Sequence, residues 1–326
     1  MGRRRPDSVN CDQSVAFCAT CPEILGDDVV APMLELTRGA TAADREQAHE
    51  RYFGHEHVTV IEPIRGWRAL DLRELWAYRE LLLVLTMRDI KVRYKQTALG
   101  AAWAILQPFM TMVVFTIFFG RLANMPSDGF PYPVFVYSAL VPWTFFANAI
   151  TSSSNSLVGS AQLVSKVYFP RLIIPLSAVG VGIVDFIVAC SILLGMMIFY
   201  KVGWSLNLMM APVLLLALMF TALGAGTCLS ALTVSYRDFR YVVPFVVQLW
   251  MFVTPVVYPA SLIPVQWRWL FHLNPMSGFI EGFRAVFLGQ AFDFAGLAIS
   301  ASVAITLFFI GVLFFERIER RFADII

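Results

Sequence analysis

Long apolar stretches without any Asp, Glu, Lys or Arg dominate the chain from residue 96 onward. Five such stretches hold the roughly 20 apolar residues that cross a bilayer as a helix. A sixth, Leu172 to Tyr200, is interrupted only by Asp185. No strand-like alternation of apolar and polar residues is present, and backbone amides in lipid must be satisfied within the segment, so helices are expected. The pattern predicts six transmembrane helices, centred in 98–120, 132–152, 173–199, 207–234, 241–259 and 294–315.

A shorter apolar piece, Ser277 to Gly289, precedes the last predicted span. It contains Glu281 and Arg284, and Pro275 lies just before it. Because it is too short and too charged to cross a bilayer, it is expected to form a re-entrant or interfacial helix. The fold class predicted is therefore an all-α integral membrane protein.

Residues 67–95, "WRALDLRELWAYRELLLVLTMRDIKVRYK", alternate charge and bulk at helical spacing. Asp71 and Glu74 have the spacing of a capping box. The stretch predicts an amphipathic helix along the cytosolic membrane surface. Its last basic residues would meet anionic lipids at roughly 1 kcal/mol each, and they are also placed to receive an anionic lipid-linked substrate. The apolar stripe is Leu75, Tyr78, Leu82 and Leu85; the polar side has Arg73, Glu80, Arg88 and Lys91; the basic cluster is Arg88, Lys91, Arg93 and Lys95.

The first 66 residues have a different composition, with seven Lys or Arg against eleven Asp or Glu and no sustained apolar period. They are expected to form a flexible cytosolic extension without a signal peptide. Cys18 and Cys21 have metal or redox spacing, but no second such pair accompanies them, so free thiols are the simpler interpretation. His55 and His57 could bind a metal, but an isolated pair in a polar segment is more often solvated.

Composition and charge support a membrane protein with both termini in the cytosol. Hydrophobic residues make up 58% of the 326 residues and charged residues 15%, below the usual soluble fraction. With this orientation, and counted from Arg79 onward, the inner segments carry twelve Lys or Arg and the outer loops four, as the positive-inside rule requires.

The chain lacks the motifs of a catalytic subunit. It contains no GxxxxGK[ST] phosphate loop, so it is not expected to bind ATP in that way. The predicted spans also lack a cluster of His, Asp and Glu that would suit a hydrolase or metalloenzyme. Neither a metal site, a cofactor nor a nucleic-acid partner is expected. Asp185 requires a partner or neutralisation; a hydrogen bond to a neighbouring helix and proton coupling are both compatible with its position.

Four segments resemble, in order, the permeases of type-2 ABC exporters, above all those of O-antigen, capsule and teichoic-acid export. The resemblance covers residues 67–326. The segments are "TALGAAWAILQPF" (97–109), "YFPRLIIPL" (168–176), "SYRDFRYVVPFVVQLWMFVTPVVYP" (235–259) and "NPMSGFIEGFRAVFLG" (274–289). Domains are then expected at 1–66, 67–95 and 96–326, the last being the permease domain with a short cytosolic tail.

The resemblance implies a homodimer of permeases with two separate ATPase subunits, which would bind ATP and Mg²⁺. The assembly would export an undecaprenyl-diphosphate-linked polysaccharide across the bacterial plasma membrane, as in lipopolysaccharide biosynthesis. In such exporters the loop between the second and third spans docks on the ATPase, although a basic loop here also satisfies the positive-inside rule alone. The expected coupling residues are Lys166, Tyr168, Phe169, Pro170, Arg171, Arg237 and Asp238.

The resemblance also suggests where substrate passes. The lipid carrier would enter near the basic cluster and the Leu-Gly turn at Leu99 and Gly100. Aromatic faces suit the stacking of sugar rings, although aromatics in spans also face lipid or pack inside. The channel candidates are Phe115, Phe119, Phe245, Trp250, Phe252 and Tyr258.

Other functions remain open. An exporter of a drug or another lipid would have the same architecture. A secondary flippase predicts inverted repeats and paired charges within the membrane, and an embedded transferase predicts an acid–base cluster; neither pattern is found. The sequence does not identify the glycan, its length, any recognised cap or the role of residues 1–66.

Overall fold

The computed structural model describes residues 72–95, 98–203 and 205–325, without the side chains at 72, 98–104, 165, 265 and from 320 onward. The predicted N-terminal extension with its cysteines and histidines, and Asp71 of the predicted capping box, lie outside the described residues. Within those residues the chain is helical with short turns and no strand, in agreement with the predicted all-α class. The helices are α1 Leu72–Ala77, α2 Arg79–Lys95, α3 Ala98–Phe115, α4 Tyr132–Gly159, α5 Ala161–Lys166, α6 Ile173–Phe199, α7 Ala211–Ser235, α8 Phe239–Val253, α9 Arg268–His272, α10 Pro275–Leu288 and α11 Phe294–Ile325.

Short irregular helices complete these elements. A π-helix, Thr116–Leu122, continues α3, and a 3₁₀ turn, Leu206–Met210, leads into α7. Two further 3₁₀ turns, Ala260–Leu262 and Val265–Trp267, lie between α8 and α9.

Five segments of the described chain are long and apolar enough to cross a membrane. They correspond to five of the six predicted spans. The segments are Ile105–Leu122, Tyr132–Gly159, Ile173–Phe199, Leu206–Ser235 and Phe294–Glu319.

The predicted span at 241–259 is different, because α8 has only 15 residues. That length corresponds to about 22 Å, less than the roughly 30 Å of hydrocarbon in a bilayer. The helix ends where Thr254, in an extended conformation, precedes Pro255. A residue before proline is disfavoured in the helical region, which explains the early end.

Helix α4 forms the centre of the protein, and 78% of its most apolar window is buried. It packs against α6, α7 and α10. Helices α7 and α11 approach each other through Gly224 and Gly311: a methyl group at Gly311 would collide with the carbonyl group of Gly224. Small residues allow such close approach of two backbones within a membrane.

A compact apolar group, which we call the end cluster, joins five helices and one loop. Because α4 and α7 finish here while α6 begins here, the cluster marks one end of the bundle, which we call the coupling end. Its buried members are Leu85, Leu157, Phe169, Ile173, Ile174, Ala231, Val234 and Phe315.

The opposite end, which we call the far end, is joined by hydrogen bonds between loops. The Tyr132 hydroxyl donates to the Val257 carbonyl (2.9 Å), and the Ser261 hydroxyl donates to Asp128 (3.0 Å). Asn207 donates to the carbonyls before and after the end of α10. These bonds join the loop before α4 to the loop before α9, and the 3₁₀ turn before α7 to the end of α10.

The predicted amphipathic helix consists of two helices, α1 and α2, which are separated by a turn at Tyr78. The predicted stripe is otherwise confirmed: Leu85 belongs to the end cluster, and Leu75, Tyr78 and Leu82 pack against it. The other side of α2 is not uniformly polar, since it exposes Leu83, Val84, Met87 and Val92.

Helix α2 also runs alongside α6. Thr86 lies against Gly180, and Arg93 and Tyr94 both contact Asp185. A helix lying flat across α6 would touch it at one level only. Contacts at both levels show that α2 follows α6 over about two turns of α2. Its predicted placement along the membrane surface stays a prediction.

Candidate functional site

The loop between α5 and α6 separates two neighbouring aromatic residues. The Tyr168 side chain is 58% exposed, whereas Phe169 is 4% exposed and belongs to the end cluster. Lys166 is exposed and Pro170 is half-buried. Of the two predicted aromatic anchors, only Tyr168 therefore faces outward, and Phe169 fixes the loop to the helices beneath it.

Arg171 is bonded to the last helix of its own chain. One Nη atom donates to the Glu319 carbonyl oxygen at 2.6 Å, and Nε lies 3.9 Å from the Glu319 carboxylate. The backbone amide of Arg171 also approaches that carboxylate at 3.4 Å. These contacts connect the loop to α11 within the chain.

A second exposed segment lies between α7 and α8 at the same end. Tyr236, Arg237 and Asp238 all have exposed side chains. Arg240, one turn further, donates from Nε to the Asn155 side-chain oxygen on α4 at 3.4 Å. The two segments predicted to contact an ATPase therefore both belong to the coupling end.

Asp185, the charge inside a predicted span, is paired with α2. An Nη atom of Arg93 lies 2.9 Å from one carboxylate oxygen, and the Tyr94 hydroxyl donates to the other. The Asp185 side chain is 11% exposed and Arg93 is 38% exposed. Burial and the hydrogen bond to Asp185 raise the pKa of Tyr94 to about 12, so the phenol remains a neutral donor.

The rest of the predicted basic cluster is arranged differently. Arg88 pairs with its neighbour Asp89 at 2.8 Å, and both are at the surface. Lys91 and Lys95 have exposed side chains. Leu99 and Gly100 fall in the first turn of α3, where the side chains are outside the described part. Arg93 thus differs from the other three cations, because it is held by α6.

The six channel candidates do not share one surface. Phe115 is buried against Phe119, and Trp250 packs on Phe146 while its indole donates to Asn274 at 2.9 Å. Tyr258 is half-buried. Phe245 and Phe252 are exposed and stand seven residues apart, on one face of α8.

Helix α8 exposes most of its apolar surface. Within it, only Val243 and Val247 are buried. Helix α3 and the π-helix that continues it show a similar pattern, since only 17% of the apolar window Ile105–Leu122 is buried. The exposed large side chains on these helices include Phe109, Val114, Phe118, Tyr241, Val242, Phe245, Leu249 and Phe252.

Helix α10 is packed inside the protein at the far end, where every residue except Glu281 is buried. Arg284 donates to the carbonyls of Val256 (2.9 Å) and Tyr258 (3.2 Å), and its guanidinium lies over the Phe135 ring at 3.8 Å. It therefore holds the turn after α8 against α4 and α10. The predicted short helix with charged residues is present as α10, and its Arg284 is bonded to the carbonyls of Val256 and Tyr258.

A profile of the family described as "ABC-2 type transporter" matches residues 80–288. The match covers well over half of the chain. The chain belongs to the ABC-2 type transporter family. In this ABC-2 transporter the matched region starts at the beginning of α2 and stops at the last residue of α10.

Several curated proteins are similar to this ABC-2 transporter. An O-antigen export system permease protein of Myxococcus xanthus is 29% identical over 256 residues, which are 78% of this chain and 98% of the relative. One from Klebsiella pneumoniae is 28% identical over 248 residues, 76% of this chain and 95% of the relative. A polysialic acid transport protein of Escherichia coli is 23% identical over 245 residues, 72% of this chain and 92% of the relative.

Sequence patterns missed the partners of the predicted site residues in this transporter. Glu319 and Tyr94 were not singled out, although each bonds a residue that was. Only the cost of an unpaired charge inside a span gave a signal, and it indicated that Asp185 needs a partner without naming one.

Proposed function

We propose that this chain is the permease subunit of an ABC exporter that moves a polysaccharide linked to undecaprenyl diphosphate out of the cytosol. The observation that carries the proposal is the near full-length similarity to O-antigen export permeases, which are covered to 95% and 98% of their length. A polysialic acid transport protein is a further relative. The names of these relatives specify the export of O-antigen and the transport of polysialic acid.

The energy source in this proposal is a separate ATPase, present in two copies, at the coupling end. The chain has no phosphate loop of its own. Tyr168 is an exposed aromatic next to the buried Phe169, so a force on the loop would be passed to the packed end cluster. Because packed cores resist compression, such a push would shift whole helices and not single side chains. Arg171 would carry the same movement to α11 through Glu319.

Homodimerisation through α3 and α8 is part of the proposal. A 15-residue helix that leaves most of its apolar surface exposed is a poor lipid-facing span, because lipid would have to thin around it. A second permease subunit would cover that face. Phe245 and Phe252 would then lie near the two-fold axis, where a sugar chain would stack on them.

The same arrangement suits the carrier lipid. Lys91 and Lys95 are exposed at the end of α2, close to the start of α3, and would attract a diphosphate group or anionic lipids. The proposed location is the bacterial plasma membrane, with both termini and the coupling end in the cytosol. This orientation follows the excess of Lys and Arg at that end.

Export of a drug or another lipid is the second candidate. The chain is also similar to a protein named only as an "Inner membrane transport permease" of Escherichia coli, a name that specifies no substrate; it is 25% identical over 198 residues, which are 57% of this chain and 75% of that relative. That similarity is shorter than the one to the O-antigen permeases, so polysaccharide export is preferred.

Genetic replacement tests the proposal. A strain without its native copy is expected to lose surface polysaccharide and to accumulate polymer on undecaprenyl diphosphate inside the cell. The wild-type gene should restore export, and an ATPase subunit should copurify with its product. The chain purified without that subunit should hydrolyse no ATP. Unchanged surface polysaccharide in the deletion strain would refute the assigned substrate.

A pair of tyrosine variants tests the docking surface in that strain. Tyr168→Ala removes an exposed aromatic at the coupling end and should reduce ATPase copurification and export at normal permease abundance, as expected for an aromatic interface anchor. Tyr200→Ala is the matched control, because Tyr200 is also exposed but follows α6 at the far end. Equal export and copurification by both variants would contradict docking at Tyr168.

A further inference from the structure

Three side chains of the types that can bind metals converge at the far end, although they are separated along the sequence. His272 is the last residue of α9, Glu281 is in the middle of α10, and Asp293 immediately precedes α11. One ligand atom from each lies within 4.8 Å of the other two. We propose that these residues bind a divalent transition-metal ion, which cross-links α9, α10 and α11.

The histidine is held in position for such a role. His272 is 5% exposed. Its Nε2 lies 3.4 Å from a carboxylate oxygen of Asp293. That separation is long for a hydrogen bond. Around a tetrahedral ion with bonds of about 2.0–2.2 Å, neighbouring ligand atoms lie roughly 3.3–3.5 Å apart. The separation of Nε2 and the Asp293 oxygen matches this distance. The ring's Nδ1 has no hydrogen-bond partner among the described residues, so its polar contact is made through Nε2.

The two oxygens of Asp293 have different tasks. One accepts a hydrogen bond from the Gly296 amide at 3.1 Å, which caps the start of α11. The other faces His272. The cap therefore fixes the carboxylate while leaving one oxygen available for a metal.

Gly296 makes room for this pair. A methyl group there would lie 2.6 Å from His272 Nε2 and 2.7 Å from the Asp293 oxygen. The absence of a side chain thus keeps open the space between the two ligand atoms. The Ser300 hydroxyl, one turn along α11, donates to the His272 carbonyl at 3.1 Å and fixes α9 on the same helix.

Chemistry and exposure define the ligand. One imidazole nitrogen and two carboxylates suit Zn²⁺ or Mn²⁺ better than the softer ions that prefer thiolates. The Asp293 side chain is 52% exposed, so an ion can exchange with solvent and would keep at least one water ligand. Bound metal would hold α9 and α10, which close the far end, against the last span.

Metal binding to the purified full-length chain is the test. Affinity purification without a polyhistidine tag, followed by chelator stripping, is required because added histidines would bind the same ions. Mn²⁺ is the first probe, measured by the loss of the free-ion electron paramagnetic resonance signal. Zn²⁺ is the second, in a background with Cys11, Cys18 and Cys21 changed to Ser, because these thiols would compete for zinc.

Asp293→Asn is the decisive variant, since Asn preserves the helix cap and removes the anionic ligand. We expect one equivalent of Mn²⁺ in the wild type and at least tenfold weaker binding in Asp293→Asn and Glu281→Gln. Even substitution of a residue that bonds only a metal ligand typically lowers metal affinity or activity about 10–100-fold. Asp128→Asn is the matched control: Asp128 is a far-end carboxylate outside the cluster, in a left-handed conformation that Asn tolerates.

A second readout is thermal. Mn²⁺ should raise the midpoint of unfolding of the wild type and of Asp128→Asn in a concentration-dependent way, because it binds the folded state, and should not do so for Asp293→Asn. No detectable binding to the wild type, or equal binding by all the variants, would overturn the site.

Discussion

The pair between Arg93 and Asp185 gives the sharpest test of how α2 is held. Asp185→Asn would leave the Arg93 guanidinium without its carboxylate partner and weaken the hydrogen bond from Tyr94. Breaking a fully buried pair costs about 3–5 kcal/mol, whereas exposed pairs contribute about 0–1 kcal/mol. Because Arg93 is 38% exposed while Asp185 is 11% exposed, we expect an intermediate loss of about 1–3 kcal/mol.

A double-mutant cycle separates the coupling energy between the two side chains from the other effects of each substitution. Arg93→Gln, Asp185→Asn and their combination would be compared by reversible unfolding in mixed micelles. The chain supplies a matched control on the same helix, since Arg88 and Asp89 are 2.8 Å apart but 51% and 35% exposed. The Arg88–Asp89 cycle should give a coupling below about 0.5 kcal/mol. Equal coupling energies in the two cycles would refute the argument that burial, and not distance, gives the deeper pair its strength.

An apolar replacement then separates stability from transport. Replacing both Arg93 and Asp185 by Leu removes both charges, and such replacements are often neutral or stabilising. If the pair serves only to pack α2 on α6, the double variant should export normally. Loss of export by a stable double variant would show that the charges themselves are needed.

Two further outcomes test the fold and its orientation. Gly311→Ala should destabilise the protein by about 1–3 kcal/mol, since the new methyl group meets the Gly224 carbonyl. Gly195→Ala is the control: the space around Gly195 is open, so this variant should be neutral or slightly stabilising in the same unfolding assay. Equal stability of the two variants would contradict the close packing of α7 and α11. In a cysteine-free background, cysteines at Ser127 and Gln266 should react with an impermeant reagent added outside whole cells and one at Ser165 should not, and the reverse pattern would invert the proposed orientation.

Hydropathy and charge along the chain were enough to predict most of the architecture. Apolar runs of span length are a local property, so five spans could be located without knowing any neighbour. The buried stripe of α1 and α2 was also local, because side chains three or four residues apart share a helix face. The early end of α8 was missed, although Thr254 before Pro255 gave a signal for it.

The candidate site depended much more on the tertiary structure. Tyr168 and Phe169 are adjacent aromatics in the sequence, yet one is exposed and the other is buried in the end cluster. Arg171 contacts Glu319, 148 positions away in its own chain, and its contact with an ATPase stays a prediction. Such contacts depend on which helices become neighbours, and residue type does not carry that information.

The sequence by itself therefore determined that this is a helical membrane protein, because the bilayer requires long apolar segments, and it carried the resemblance to ABC transporters that the family match confirms. Only the packing of the helices decided that Arg93 neutralises Asp185 and that His272, Glu281 and Asp293 meet. A charge needs a partner wherever the bilayer or the protein excludes water, but the sequence does not say which one. The close approach of helices, set by glycines and the end cluster, makes that choice.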